Sequence, residues 1–265
     1  MKEHIIRALK ESCPWQDSLL WFPCIDSTNT RARELARQGA PHGTVLIADR
    51  QTGGRGRMGR SFHSPGGVGI YMSVILRPHC SPQALMHLTC AAAVALCDAV
   101  ESAVGFRPGI KWINDLVVQK RKIAGVLTEL GFDSQGMVDF AVVGIGINCC
   151  QQQSDFPEEL RHVAGSLCSV TGKEIDRIRV AAAMMDALYR MDAQLLTEKV
   201  RIMEQYRRDC ITLGQEVSVI RGDEIRCGTA LDIDESGALL VRFSDGQEAF
   251  VNSGEVSVRG MYGYA

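Results

Sequence analysis

Apolar positions along the chain fall into two kinds of run. Residues 44–48 (TVLIA), 68–76 (VGIYMSVIL), 110–118, 123–130 and 138–147 are β-rich, whereas 28–38, 82–104 and 175–209 carry apolar residues at helical spacing. The helix predicted from Pro82 has the clearest punctuation. Ser81 suits the N-cap, Pro82 the first helical position, and Leu85, Leu88, Ala92 and Ala95 form the stripe, with Gly105 just past the end. Its alanines imply close packing, against a sheet. Within 177–195 the residues Ile178, Ala181, Ala182, Met185 and Leu188 read as core. Short Gly and Asp turns between 110 and 147 favour hairpins and a mixed sheet over a doubly wound one. After Cys210 the texture changes to short strands (EVSVI, RCGTALDI, ALLVRF, EAFV, EVSVR) separated by the turn signals Gly222-Asp223, Asp234-Glu235-Ser236-Gly237 and Asp245-Gly246. The expectation is a mixed α and β domain over 1–210 and a small β-barrel over 211–265.

Composition narrows the function classes. With 46% hydrophobic and 23% charged residues the chain is neither disordered nor collagen-like. Lys+Arg 29 against Asp+Glu 31 gives a formal net charge of -2, so no global basic field draws it to nucleic acid or anionic lipid, and any polyanion site must be local. The opening MKEHIIRALKESCPW lacks the apolar core of a signal peptide, and no later run reads as a membrane span, so a cytoplasmic protein is expected. The ten cysteines are scattered without a C-x-x-C pair and read as reduced, mostly buried thiols. Adjacent Cys149 and Cys150 cannot point the same way on a strand, which disfavours a metal clamp there.

Gly54-Arg55-Gly56-Arg57-Met58-Gly59 fits the dinucleotide pattern G-x-G-x-x-G, but Ser64-Pro65-Gly66-Gly67 and then a strand follow where that fingerprint needs a helix. The segment from Gln51 to Arg60 instead combines approachable backbone N–H groups with forked cationic donors, the chemistry of a mobile loop that orders on an anionic ligand. Lys111-Trp112-Ile113-Asn114-Asp115 sits at a strand end, and a Lys there is costly to bury unless something anionic meets it. Lys120 and Arg121 read as a solvated hairpin tip, whereas Lys122 abuts the apolar run 123–127 and should point inward. Ser27-Thr28-Asn29 opens a helix, where simple N-capping is the bland alternative. Gly144-Ile145-Gly146-Ile147-Asn148 ends a strand with glycines that permit either close ligand approach or a bulge.

Taken in order, Asp26-Ser27-Thr28-Asn29, Gln51–Arg57, Lys111–Asp115, Arg121–Gly125 and Gly144–Asn148 resemble the biotin–protein ligases, as does the closing Gly254-Glu255-Val256-Ser257-Val258-Arg259. The resemblance implies an α+β catalytic domain similar to class II aminoacyl-tRNA synthetases, with a mixed sheet, plus a small SH3-like C-terminal domain. It implies that biotin and ATP, with Mg²⁺, form biotinyl-5′-AMP, and that the biotinyl group passes to one Lys of a biotin carboxyl carrier protein. Carried onto matching positions, Ser27, Thr28, Asn29, Gln51, Arg55, Gly56, Arg57 and Lys122 are biotin contacts. Arg57, Lys111, Asn114, Asn148 and Arg259 serve ATP; Arg55, Lys111 and Lys122 serve catalysis; Asp115 either binds Mg²⁺ or orients Lys111. Ile113 stands where the family carries Pro, which adds an N–H and frees φ at that turn. Some members carry an N-terminal DNA-binding winged helix, for which the residues before Ser27 are too few, so no specific DNA binding is expected. Monomer and homodimer both stay open. The rival readings are a lipoate or octanoate transfer enzyme on a related fold and a non-enzymatic biotin-binding module.

The implied chemistry suits the residues. A carboxylate attacking the α-phosphorus of a triphosphate forces two anions together, and cations at Arg55, Arg57, Lys111 and Lys122 would neutralise that approach. Hydroxyls of Ser27 and Thr28 and the amide of Gln51 match a ureido ring.

Overall fold

A computed structural model describes residues 1–9, 13–252 and, for the backbone alone, 257–260. Its elements run α1 (Lys2–Ala8), β1 (Leu19–Phe22), α2 (Thr28–Arg37), β2 (Thr44–Ala48), β3 (Gly69–Leu76), α3 (Leu88–Val104), β4 (Gly109–Lys111), β5 (Asp115–Val118), β6 (Arg121–Phe132) and β7 (Val138–Asn148). Then follow α4 (Leu167–Thr171), α5 (Arg177–Gln194), α6 (Lys199–Asp209), β8 (Glu216–Arg221), β9 (Glu224–Ile233), β10 (Leu239–Phe243), β11 (Glu248–Val251) and β12 (Ser257–Gly260).

The larger sheet has the order β1-β2-β3-β7-β6-β5-β4. Only β1 and β2 pair in parallel; the other neighbours are antiparallel, so the sheet is mixed, as expected. Thr128 of β6 meets Thr89 of α3 on one face. On the opposite face Ala32 and Ala36 of α2 pack with Leu46, Ile75 and Val142 of β2, β3 and β7. The second sheet is a small antiparallel unit in the order β11-β10-β9-β8-β12, as an SH3-like domain requires.

Several local expectations change. Residues 82–104 become a 3₁₀ turn, Pro82–Leu85, followed by α3, and Gly105 closes α3 at φ 86. Helix α3 packs chiefly against α5, itself alanine-rich, rather than against the sheet alone; small side chains on both partners let two helices approach closely. Residues 82–104 do reach the length and hydropathy of a membrane span, contrary to the sequence reading, but 72% of that window is buried inside the protein, as befits a core helix. The run 175–209 breaks into α5 and α6, and 110–118 divides at Trp112-Ile113-Asn114 into β4 and β5. The short α1, β1 and α4 were not foreseen, being too brief for periodicity to register. All ten cysteines are free, five of them buried, and Cys149 and Cys150 reach different carbonyls, those of Ile147 and Ile175.

Candidate active site

The α2 side of the larger sheet holds a cavity of about 510 Å³. Ser27 caps α2, its Oγ accepting the Thr30 N–H at 3.4 Å, so the bland capping role is real. It also lines the cavity, with Thr28 and Asn29 beside it. Gln51 orients this helix start: its Oε1 accepts the Thr28 backbone N–H at 2.8 Å and lies 3.1 Å from Thr28 Oγ1, while its Nε2 donates to Ser64 Oγ at 3.0 Å. Those partners fix which end of the amide is which. Ser73 Oγ lies 2.8 Å from Thr28 Oγ1 and 2.7 Å from Asn29 Oδ1. Asn29 Nδ2 donates to Leu127 O and Glu129 Oε2 at 3.3 and 3.0 Å, so its amide is engaged with protein on both sides.

The glycine-arginine segment is an excursion between β2 and β3, not the turn into a helix that a dinucleotide site requires. Its base is closed by Gly53 N–H to Asp26 O at 2.8 Å and Phe62 N–H to Gly54 O at 2.9 Å, and its tip by Gly56 N–H to Arg60 O at 2.6 Å. A Cβ at Gly54 would collide with the Phe62 carbonyl. At the tip Met58 and Gly59 turn through positive φ, 54 and 73. Arg55, Gly56, Arg57 and Arg60 line the cavity. Arg55 is paired with Glu129 at 3.1 Å, and Arg57 donates to Asn114 Oδ1 at 3.1 Å. Burial, and secondarily Arg60, lowers the affinity of Arg57 for its proton, with Asp115 opposing.

Across the cavity, Lys111 is 9% exposed and stands in register with Asp115 on β5. Asn114 is locked to β6, its Nδ2 donating to Val126 O at 2.9 Å. Lys122 points inward, as expected, and pairs with Asp115 Oδ1 at 2.6 Å. Gly125, the partner of Asp115 in the ladder, makes this fit: a Cβ there would come within 3.1 Å of Lys122 Nζ and 3.4 Å of Asp115 Oδ1. Arg121 is not the solvated tip foreseen. It donates to Gln153 Oε1 and to the carbonyls of Arg161 and Ala164, bracing the segment that forms one wall. The tip itself is Gln119-Lys120, both at positive φ. Asn148 is buried, its Nδ2 donating to Gly165 O at 2.9 Å and its Oδ1 accepting from Gln151 at 3.1 Å. Gly144 and Gly146 are neither bulge nor bare ligand platform, because Cβ atoms there would strike Asn29 and the Phe62 ring respectively.

Every proposed site residue from Ser27 to Asn148 therefore lines one cavity. For Arg259 only the backbone is described, paired with Ser218 on β8; its side chain, and residues 254–256 of the closing motif, lie outside the described residues. Sequence reasoning missed Ser73, Glu129, Phe62 and the wall formed by Phe156, Leu160 and Val163. Ser73 had a signal, the one serine in a strand otherwise of apolar and aromatic residues. Glu129 had a weaker one, two residues beyond Leu127 on the face of Gly125. The wall lies in irregular chain and had none.

Five cations, Arg55, Arg57, Arg60, Lys111 and Lys122, face one carboxylate, Asp115, among the described residues lining the cavity. Such a site selects an anion. No group of three or more His, Cys, Asp or Glu suited to a metal occurs among the described residues, and Asp115 already pairs with Lys122. The described residues thus offer no ready-made Mg²⁺ cage; a Mg²⁺ ion would enter on substrate phosphates, as that ion commonly does.

Residues 21–148 match the Biotin/lipoate A/B protein ligase family, and residues 212–259 match the Biotin protein ligase C terminal domain. The chain is 34% identical over 236 residues to the biotin--[acetyl-CoA-carboxylase] ligase of Mycobacterium tuberculosis, covering 87% of this chain and 85% of that protein. It is 37% identical over 232 residues to the Bifunctional ligase/repressor BirA of Bacillus subtilis, covering 86% and 70%. The biotin protein ligase from Aquifex aeolicus, solved in complex with biotin and ATP, superposes with a TM-score of 0.78 at 32% identity over 91% of this chain and 98% of that one. With a relative matched over most of both chains and a solved structure superposing over 91% of this one, the chain belongs to the biotin protein ligase family.

Proposed function

We propose that the protein is an ATP-dependent biotin–protein ligase of the cytoplasm that acts on a biotin carboxyl carrier protein. The observation that carries this reading is the single cavity in which Ser27, Thr28 and Gln51 converge opposite Arg55, Arg57, Lys111 and Lys122. The hydroxyls and amide suit a neutral ureido ring, and the cations suit a carboxylate brought against a triphosphate.

In the first step a biotin carboxylate oxygen attacks the α-phosphorus of MgATP, the bond to the β-phosphate oxygen breaks, and pyrophosphate leaves. Lys122 and Arg55 neutralise the carboxylate; Arg57, Lys111, Asn114 and Asn148 serve the nucleotide, joined by Arg259 from β12. Asn29 acts from behind Thr28, its amide being engaged with Ser73 and Glu129. Asp115 holds Lys122 in place. In the second step the lysine amine of the carrier protein attacks the acyl carbon, AMP departs, and the amine loses a proton to solvent. A closed loop over residues 53–60 keeps water from the mixed anhydride between the two steps. We place the boundary between the two domains near residue 211.

Lipoate is the competing substrate, since the matched family includes lipoate ligases. The C-terminal match, specific to biotin protein ligases, favours biotin. Exchange of labelled pyrophosphate into ATP is the test. Exchange that requires biotin and is not supported by lipoate is expected; exchange driven equally by lipoate, or none with biotin, overturns the assignment.

A further inference from the structure

We infer that Glu129 is a positioning residue for the glycine-arginine loop, holding Arg55 in the geometry that retains the acyl-adenylate; this rests on the biotin-activating reading above. Glu129 sits in the C-terminal half of β6, in register with Val142 of β7, and its backbone is held by that ladder. Both carboxylate oxygens take two partners. Oε1 lies 3.1 Å from Arg33 Nη1 and 3.1 Å from Arg55 Nη1; Oε2 lies 3.2 Å from Arg55 Nη1 and 3.0 Å from Asn29 Nδ2. Its side chain is 18% exposed and that of Arg55 41%, so the pair spans the boundary between sheet and loop.

The contacts closing the loop on itself are backbone hydrogen bonds at its base and tip. Among the arginine contacts that tie it to the rest of the protein are Arg57 to Asn114 and Arg55 to Glu129. Without the carboxylate, Arg33 and Arg55 would face each other as like charges, and Arg55 would swing toward solvent. Asn29 would lose one of its partners at the same time, so Glu129 joins the loop to the helix start on which Ser27 and Thr28 stand.

The test is a double-mutant cycle on the full chain, read as the rate at which preformed biotinyl-adenylate dissociates after a chase with unlabelled biotin. Glu129→Gln and Arg55→Gln should each speed dissociation about tenfold, the loss of roughly one charge-assisted hydrogen bond. The double variant should be no faster than the faster single one. Multiplicative effects in the double variant, or a wild-type rate in Glu129→Gln, overturn the proposal. A ligand-independent arm separates this from the enzyme assignment. In the apo protein, tryptic cleavage after Arg57 or Arg60 should be faster in Glu129→Gln than in wild type, and Glu129→Asp, which keeps the charge, should fall between. Equal cleavage rates in all three overturn the role of Glu129 even if biotin-dependent exchange is present. Should exchange be absent while cleavage follows the expected order, the enzyme assignment fails, and with it the retention of the acyl-adenylate, while the anchoring of the loop by Glu129 stands.

Discussion

Trp112 donates its indole N–H to the carbonyl of Gly237 at 2.9 Å, joining the turn that carries Lys111 and Asn114 to the small sheet. The join is built from both sides. Asp234 Oδ1 accepts from the Ser236 and Ala238 N–H groups and shapes the turn that presents Gly237, which sits at φ 90. Thr212 Oγ1 accepts the Trp112 backbone N–H at 2.9 Å, and Tyr206 donates its hydroxyl to Ile113 O at 3.1 Å. The small sheet and the segment leading into it therefore brace one side of the candidate site.

Trp112→Phe keeps most of the ring but removes the donor. It should lower stability by about 1 kcal/mol, the net worth of one hydrogen bond. The KM for ATP should rise several-fold while biotin affinity holds, because the turn carries the nucleotide-side residues. Denaturant unfolding and pyrophosphate exchange read the two effects; a loss of biotin affinity equal to that for ATP would show general loosening instead.

Lys122→Ala should weaken biotin binding by about 1.5–3 kcal/mol, as expected for a charge-assisted hydrogen bond. Asp115→Asn removes the charge that holds Lys122 and should weaken binding by less, because the lysine itself remains. Isothermal titration with biotin gives both values, and a larger loss in Asp115→Asn would assign the carboxylate a role of its own.

The loop over residues 53–60 should be protected by its ligand. Tryptic cleavage at Arg55, Arg57 and Arg60 should slow when biotin and MgATP are present. Equal rates with and without ligand would remove gating from the mechanism.

Thiol reagents should distinguish the cysteines by burial. Cys24 and Cys227 are exposed and should react first at pH 8, whereas Cys13, Cys90, Cys97, Cys149 and Cys210 are buried and should react only on unfolding. Burial raises the pKa of Cys90, Cys97, Cys149 and Cys210, and Cys150 is pushed up to about 11, chiefly by desolvation and then by neighbouring Cys168, which suppresses the reactive thiolate. Counting reacted thiols against time in native and denaturing buffer checks the order.

By itself the sequence determined the strands of the larger sheet from 44 to 148, the cap that opens α2, the glycine that ends α3, and the failure of G-x-G-x-x-G as a dinucleotide site. These are local matters: apolar period, caps and the residues that follow a glycine turn act within a few positions of chain. The ordered motifs also marked which side chains would meet, from Ser27 to Asn148, although that came through resemblance rather than through spacing. Only the tertiary structure decided how those side chains are employed. Asp115 faces Lys122 because a bulge between Leu116 and Val117 and the missing Cβ of Gly125 bring them together across β5 and β6. Glu129, some seventy residues from Arg55, finds it because α2, β6 and the loop share one face of the sheet. Gly144 is needed for Asn29, more than a hundred residues earlier. The domain brace likewise joins Trp112 to Gly237 through a hydrogen bond to a carbonyl, a group every residue carries. Long-range pairing of this kind leaves no local trace, since each partner is compatible with many neighbours until the fold fixes one.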